Sequence, residues 1–169
     1  MNAFVPGSFD PITLGHVNII ERASKMFDKV FVVVMNNDSS KYDDTLKSKT
    51  YFLSPDERLD VVKLSISHIE NAEAVYFDGM LIDACDKLDA HAVVRGVRNS
   101  RDFEYEIIHA RWNMAHNDKI EVFFLPADPE FDSISSSMVR EVIESGENFD
   151  ALKDALHPRA IEYILKRVN

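Results

Sequence analysis

The run Val30-Phe31-Val32-Val33-Val34-Met35 limits the possible folds of this chain more than any other stretch. Six consecutive apolar residues without polar alternation predict a strand buried on both faces, as in a parallel sheet covered by helices. Four further apolar runs predict strands, and patterns with helical spacing lie between them. The sequence therefore predicts an α/β fold with a doubly wound, five-stranded parallel sheet. The strands are expected at residues 3–5, 30–35, 75–77, 92–94 and 122–125, and the helices at 14–27, 55–70, 80–89 and 101–117.

The length and charge of the chain narrow its class. A chain of 169 residues with 46% hydrophobic residues has about the size and the core of one domain, and we predict a single domain over residues 1–169. The net charge of −10 argues against general binding to nucleic acid. The lone Cys85 cannot form an intramolecular disulfide, and no apolar run of about 18 residues or basic leader is present. We therefore expect a soluble cytoplasmic protein without a membrane span.

Residues 4–16 run from the first predicted strand into the first predicted helix. Gly7 allows the backbone to come close to a ligand, and Ser8 offers a hydroxyl donor. His16 follows Gly15 and precedes apolar residues at helical spacing, so it is expected in the first turn of the helix. Unpaired N–H groups and the helix dipole favour a phosphate at that point. The alternative is a glycine-containing loop whose histidine only caps the helix.

Two further stretches follow predicted strands, at the edge of the sheet where ligands of such folds bind. Arg95-Gly96-Val97-Arg98 carries two guanidinium groups that can bind phosphate oxygens, although both could be solvated surface charges. Ile134-Ser135-Ser136-Ser137-Met138-Val139-Arg140 places three hydroxyls before a helical stretch that ends near Gly146, although one serine could be a simple cap. The sequence predicts two helix N-termini that bind a polyphosphate in one cleft. The absence of the G-x-G-x-x-G and P-loop patterns argues against dinucleotide oxidoreductases and P-loop kinases.

Residues 6–16, 95–98, 102–106 and 134–140 together resemble the phosphopantetheine adenylyltransferases of bacterial type, in the nucleotidyltransferase superfamily. The resemblance extends from the first strand to about Val142 and implies a Rossmann-like nucleotidyltransferase fold with C-terminal helices. It implies that the phosphate of 4'-phosphopantetheine attacks the α-phosphate of ATP in line, giving 3'-dephospho-CoA and pyrophosphate in coenzyme A biosynthesis. It also implies Mg²⁺ carried by the ATP phosphates and a homohexamer, and it leaves feedback by coenzyme A open.

The resemblance assigns roles to the residues that match the family motifs. His16 would bond the α-phosphate in the transition state, and Ser8 and Lys49 would be the other catalytic residues. The positions that match substrate-binding residues are Ser8, Lys49, Leu81 and Arg95. The positions that match ATP-binding residues are Ser8, Phe9, His16, Gly96, Val97, Arg98, Glu106, Phe131, Asp132, Ser133, Ile134, Ser135, Ser136 and Ser137.

The sequence departs from the family pattern between residues 36 and 53, where the family usually carries a short Ser-Lys-Lys-type segment. Counting back from Asp56-Glu57-Arg58 selects Lys49, whereas counting forward from the second strand falls nearer Lys41. We select Lys49, which would act as a point charge on the reacting phosphates, and Lys41 and Lys47 stay open as alternatives.

Two other functions are compatible with the same motifs. A sister nucleotidyltransferase would adenylylate nicotinamide mononucleotide or cytidylylate glycerol phosphate, with a different acceptor pocket. A non-catalytic nucleotide sensor would need no groups aimed at the charge of a transition state, so Ser8, His16 and Arg95 argue against it. No metal site is predicted, since the remaining histidines share no metal-ligand spacing: His68, His91, His109, His116 and His157.

Overall fold

The computed structural model describes residues 1–36, 50–146 and 149–168. Strands and helices alternate along the first three quarters of the chain, as the sequence predicts, and most element ends lie within three residues of the predicted ones. The strands are β1 (Asn2–Gly7), β2 (Lys29–Met35), β3 (Ala72–Phe77), β4 (Ala92–Val97) and β5 (Glu121–Pro126). The helices are α1 (Leu14–Ser24), α2 (Pro55–Ile66), α3 (Leu81–Leu88), α4 (Ser100–His116), α5 (Ser136–Ser145), α6 (Ala151–Ala155) and α7 (Pro158–Val168).

The five strands form one sheet in the order β3-β2-β1-β4-β5, and every pair is parallel. The chain first builds outward from β1 through β2 to β3, and it then crosses to the other side of β1 to add β4 and β5. The order therefore reverses between β1 and β4, and ligands of doubly wound sheets bind at such a point. The predicted fold class is confirmed.

Each face of the sheet has its own apolar cluster, and β2 contributes to both because successive side chains point to opposite faces. Val30, Val32 and Val34 pack with α1, α2 and the C-terminal helices α5 to α7. Phe31, Val33 and Met35 pack on the other face, with the α3 residues Ala84 and Cys85. Burial, helped by the charge of Asp86, raises the pKa of the Cys85 thiol to about 12, so the thiol is a packing group.

Caps fix the start of two helices close to the cleft described below. The hydroxyl of Ser54 accepts a hydrogen bond from the backbone N–H of Glu57 at 3.3 Å, and the Glu57 carboxylate accepts one from the Ser54 N–H at 2.7 Å. This capping box starts α2. Ser135 accepts a bond from the N–H of Met138 at 3.1 Å and so starts α5, which ends at the left-handed Gly146 (φ 68°).

Helix α4 differs from the others because Ala110 is its only buried residue. The exposed side chains include Phe103, Ile108 and Trp112, and Ile108 is 66% exposed. With 17 residues α4 is the longest described helix. Within the described ranges, no helix combines the length and the apolar character that crossing a bilayer requires.

Candidate active site

A cleft of about 600 Å³ opens at the carboxyl ends of β1 and β4, where the strand order reverses. Its walls come from the β1–α1 loop, from the end of β4 with the start of α4, and from the connection between β5 and α5. The structure thus brings together most of the residues that the motifs assigned to a site. Those that line the cleft are Ser8, Phe9, His16, Arg95, Gly96, Arg98, Glu106, Phe131, Ile134, Ser135, Ser136 and Ser137.

Some predicted residues lie elsewhere. Val97, Asp132 and Ser133 adjoin lining residues in the chain but do not themselves line the cleft. Leu81 is the first residue of α3 and packs against the second apolar cluster. Lys49 lies outside the described residues, as do Lys41 and Lys47. The assigned roles of these residues stay predictions.

His16 is held by the residue that caps α1. The backbone N–H of Thr13 donates to Nδ1 of His16 at 3.0 Å, and the Thr13 hydroxyl lies 2.8 Å from the same nitrogen. A backbone N–H can only donate, so Nδ1 is the acceptor and Nε2 carries the proton of the neutral ring. The Phe9 ring meets the imidazole edge to face at 5.4 Å. The side chain therefore keeps one orientation, with Nε2–H left to donate to a ligand.

The pKa of His16 is lowered from 6.5 to about 4. Burial is the largest cause, followed by the positive charges of Arg98 and Arg95. The ring is therefore neutral at neutral pH. It can stabilise an anionic oxygen as a hydrogen-bond donor, and it brings no charge of its own.

Two glycines of this region serve packing within the wall. A Cβ at Gly7 would lie 2.7 Å from the ring of Phe9, so the neighbour that excludes a side chain is Phe9, where the sequence led us to expect a ligand. A Cβ at Gly15 would lie 3.3 Å from the Cβ of Phe131. Gly15 thus lets the connection between β5 and α5 come close to the start of α1.

Arg95 and Glu106 form a two-pronged ion pair on the opposite wall. Nε and Nη2 of Arg95 each donate to a carboxylate oxygen of Glu106 at 2.6 Å, and Nη1 donates to the carbonyl of Pro6 at 2.9 Å. The side chains are only 23% and 15% exposed. The planar fork of Arg95 thus already has the geometry in which a guanidinium binds a phosphate.

The cleft is locally positive although the chain has a net charge of −10. Arg98 donates through Nε to Asp102 at 2.9 Å and is 39% exposed, more than Arg95. With Arg101 and Arg140, four arginines line the cleft, against the two carboxylates of Asp102 and Glu106, among the lining residues that the structure describes. This excess of positive charge favours a polyanionic ligand.

The predicted serine cluster joins α5 to the β1–α1 loop. Ser136 donates its hydroxyl to the carbonyl of Pro11 at 2.8 Å. Arg140 donates to the carbonyl of Asp10 at 2.6 Å and to the hydroxyl of Ser137 at 3.0 Å. These bonds bring the N-termini of α1 and α5 to one cleft, as predicted. Phosphate binding by the two helix ends stays a prediction.

Several residues at or behind the cleft have no role in the sequence prediction. The buried Asp10 carboxylate accepts the backbone N–H groups of Phe52 and Leu53 at 2.9 and 2.8 Å, partners more than forty residues away that no local pattern reveals. Arg101 and Tyr105 line the cleft beside Arg98. Both belong to α4 and are four residues apart, so helical spacing could have indicated that they share one face of the helix.

Among residues 1–36, 50–146 and 149–168, no three histidine, cysteine or acidic side chains come together as a metal site would require. Both carboxylates of the cleft are engaged by arginines. The oxygen donors that Mg²⁺ prefers are therefore not gathered by the described residues. Mg²⁺ carried by the ATP phosphates stays a prediction.

Two sequence comparisons place this chain among known proteins. The family model for cytidylyltransferase-like proteins matches residues 4–142. A phosphopantetheine adenylyltransferase of Staphylococcus haemolyticus (strain JCSC1435) is 37% identical over 142 residues, which cover 84% of this chain and 83% of that protein. The matched part of the family model contains the cleft and ends within α5.

Solved structures resemble the fold at low sequence identity. A putative nicotinate-nucleotide adenylyltransferase from Vibrio parahaemolyticus gives a TM-score of 0.64 at 15% identity, with 97% of each chain covered. The nicotinic acid mononucleotide adenylyltransferase of Plasmodium falciparum, complexed with NaAD, gives 0.59 at 18% identity, covering 98% of this chain and 95% of that one. At such identities the likeness concerns the fold alone.

Proposed function

The chain belongs to the cytidylyltransferase-like family and, within it, to the phosphopantetheine adenylyltransferases, and from this premise we propose that it transfers the adenylyl group of ATP to 4'-phosphopantetheine. The products are 3'-dephospho-CoA and pyrophosphate, in coenzyme A biosynthesis. The observation that carries the proposal is the meeting of His16, Arg95 and the start of α5 in one positive cleft. Each of these groups comes from a different motif, and adenylyl transfer needs hydrogen-bond donors of the protein that contact both substrates at once.

The chemistry is a direct displacement. An oxygen of the acceptor phosphate forms a bond to the α-phosphorus of ATP, and the bond from that phosphorus to the pyrophosphate oxygen breaks. No covalent enzyme intermediate forms, so catalysis consists of positioning and charge stabilisation. Nε2–H of His16 donates to an α-phosphate oxygen, where charge accumulates. The neutral ring keeps this proton throughout, since its Nδ1 already accepts the N–H of Thr13.

The remaining residues bind and align the two substrates. Arg95 binds the acceptor phosphate, with Ser8 and Leu81 as further contacts of the acceptor. Arg98, Glu106 and the start of α5 belong to the ATP side, together with Gly96 and residues 131–134. Support comes from the shared cleft, which holds all of these except Leu81 and residues 132–133. Lys49 adds a positive charge to the reacting phosphates.

Mg²⁺ would be carried by the ATP phosphates, and when bound it would neutralise charge on the departing pyrophosphate. The support from this chain is that the described lining residues offer only two carboxylates, Asp102 and Glu106, and that each is bound to an arginine in this structure. The chain's own contribution is positive charge from Arg98 and Arg140 at the same cleft.

We also propose a cytoplasmic homohexamer. Its support is α4, which buries Ala110 alone and exposes Phe103, Ile108 and Trp112, so contact with another copy would cover an apolar surface. Light scattering at micromolar concentration tests the assembly, and a monomer would contradict it. Regulation by coenzyme A would show as inhibition of turnover when coenzyme A is added.

The test of the activity is pyrophosphate release from ATP and Mg²⁺ in parallel reactions with 4'-phosphopantetheine, nicotinamide mononucleotide or glycerol 3-phosphate, the last repeated with CTP. We expect release with 4'-phosphopantetheine alone. Release with another acceptor only would keep the displacement chemistry and overturn the acceptor. Binding of ATP without release in any reaction would favour a nucleotide sensor.

A further inference from the structure

Arg58, on α2, is the largest side chain that the described part of the chain buries completely. Its position is unusual for a charged group, because a buried cation loses its hydration and is normally paired with a carboxylate. Among the described residues, the acceptors of its hydrogen bonds are carbonyl and amide oxygens. A well-packed apolar side chain would fill the same space without this cost, so the guanidinium calls for another explanation.

The guanidinium of Arg58 joins three segments that are distant in sequence. Nη1 donates to the carbonyl of Ser8 at 2.8 Å and to that of Met35 at 3.3 Å. Nη2 donates to the side chain of Asn36 at 2.5 Å. The plane of the group lies over the ring of Tyr51, with Cζ 4.3 Å from the ring centre. One side chain thus connects the β1–α1 loop, the end of β2 and the residues that precede α2.

These segments meet behind the wall of the cleft that carries His16. Ser8 lines the cleft and uses its carbonyl for Arg58 on the other side. The next residue but one, Asp10, binds the N–H groups of Phe52 and Leu53 through its buried carboxylate. The β1–α1 loop is therefore connected twice to residues 51–53: through the guanidinium of Arg58 and through the carboxylate of Asp10. Only a planar fork reaches Ser8 and Asn36 together, which a lysine cannot do.

We propose that Arg58 is a positioning residue for the transfer reaction: from beneath the cleft, its guanidinium fixes Ser8 against the end of β2 and Tyr51. The proposal rests on the proposed function, because it concerns turnover at that site. Arg58 itself contacts neither substrate. It acts through Ser8 and the loop that continues to His16, and small displacements of such groups have large effects on rate.

The experiment compares Arg58→Met and Arg58→Lys with the wild-type chain under conditions in which circular dichroism shows each variant folded. We expect kcat to fall about 10- to 100-fold in Arg58→Met while the KM for ATP changes less than about threefold, since alignment is lost and binding groups remain. Arg58→Lys keeps the charge and loses the fork, so its kcat should fall by less but stay below the wild-type value. A wild-type kcat in folded Arg58→Met would overturn the proposal.

Val62→Ala is the matched control, because Val62 is fully buried on the same helix and packs in the first apolar cluster. It should lower the melting temperature and leave kcat within about twofold, which separates loss of helix packing from loss of alignment. Asn36→Ala removes one acceptor of Arg58 and should reduce kcat about threefold if the guanidinium acts as described. Should both Arg58 variants fail to fold, a wild-type kcat in Asn36→Ala would assign Arg58 to folding alone and overturn the proposal.

The parallel reactions with different acceptor substrates, described under the proposed function, separate the two proposals. If the wild-type chain uses a different acceptor, the proposed function fails, and the Arg58 variants are compared with that acceptor. If wild-type turnover with 4'-phosphopantetheine is found and the variants match it, the proposed function stands and the role of Arg58 fails. Absence of release with every acceptor overturns both.

Discussion

The two walls of the cleft are held in different ways. In the hydrogen bonds that fix the loop wall, residues 6–16, one partner is a backbone group, such as the N–H groups of Phe52 and Leu53 that bind Asp10. The arginine wall, residues 95–106, is held by two ion pairs between side chains, with one further bond from Arg95 to the carbonyl of Pro6. In both pairs, Arg95 with Glu106 and Arg98 with Asp102, the partners remain partly open to solvent.

This difference suggests different tasks. A backbone partner cannot leave, so the donors of the loop wall stay oriented before the substrate arrives, as electrostatic stabilisation of a transition state requires. A carboxylate partner can be replaced by a phosphate, because both offer two oxygens to a guanidinium fork. We therefore expect changes in the loop wall to act on kcat and changes in the arginine wall to act on KM.

His16→Ala should show the largest effect of any change in the loop wall. The variant loses the Nε2–H donor, so kcat should fall about 10²- to 10³-fold with little change in the affinity for ATP. Steady-state kinetics and a direct ATP-binding measurement test this. His68→Ala is the control, since His68 lies outside the cleft and pairs with Glu21. Unaltered kcat in His16→Ala would remove His16 from the mechanism.

The low pKa of His16 makes the loop wall a source of pH dependence in stability. The folded chain binds this proton only near pH 4, whereas the unfolded chain binds it near pH 6.5. The contribution of the neutral ring is thus complete above pH 6.5 and is lost as the pH falls towards 4. The side chain at position 16 does not titrate in His16→Asn. Over this interval, the free energy of unfolding of the wild type should therefore fall by up to about 3 kcal/mol more than that of His16→Asn.

Urea denaturation of both proteins at several pH values across that interval measures this difference. Parallel curves for the wild type and His16→Asn would show that the folded state does not suppress protonation of His16. The same suppression predicts that kcat of the wild type carries no ionisation of His16 near neutral pH.

The sheet could be predicted from sequence because its central strands carry their own signal. The apolar run of β2 needs no partner to be recognised, and its six predicted residues are all in the strand. The ends of the strands were harder to predict. Pro6 and Gly7 have weak strand propensity, yet they extend β1 because they pair with Val33 and Val34. Pairing with a neighbouring strand is a tertiary effect that no local pattern contains.

The residues of the site also fall into those that a local sequence pattern reveals and those that depend on distant partners. Groups at a motif, such as His16 and Arg95, could be located because glycines and helix starts surround them in the sequence. Arg58 and Asp10 could not, because their partners Ser8 and Leu53 are 50 and 43 residues away. The pairing of Arg95 with Glu106 also needed the structure, since the family resemblance assigns the two residues to different substrates.

Lys49, outside the described residues, is the lysine predicted to place a positive charge at the reacting phosphates. The kcat of Lys49→Ala should be about tenfold or more below the kcat of Lys41→Ala, because only a charge at the transferring phosphate stabilises the transition state. Lys41→Ala serves as the control of equal charge change. Equal or reversed effects would show that the alignment of residues 36–53 is wrong and would move the role to Lys41 or Lys47.

Arg95→Lys tests the arginine wall with the smallest change. The substitution keeps the positive charge and removes the fork that now binds Glu106 through two bonds of 2.6 Å. We expect the KM for the acceptor substrate to rise about tenfold, because a lysine binds phosphate as a point charge, while kcat falls less than about threefold. Arg111→Lys is the matched control, because Arg111 is exposed on α4 and does not line the cleft. A fall in kcat with unchanged KM would place Arg95 with the rigid groups of the loop wall and would remove the division between the two walls.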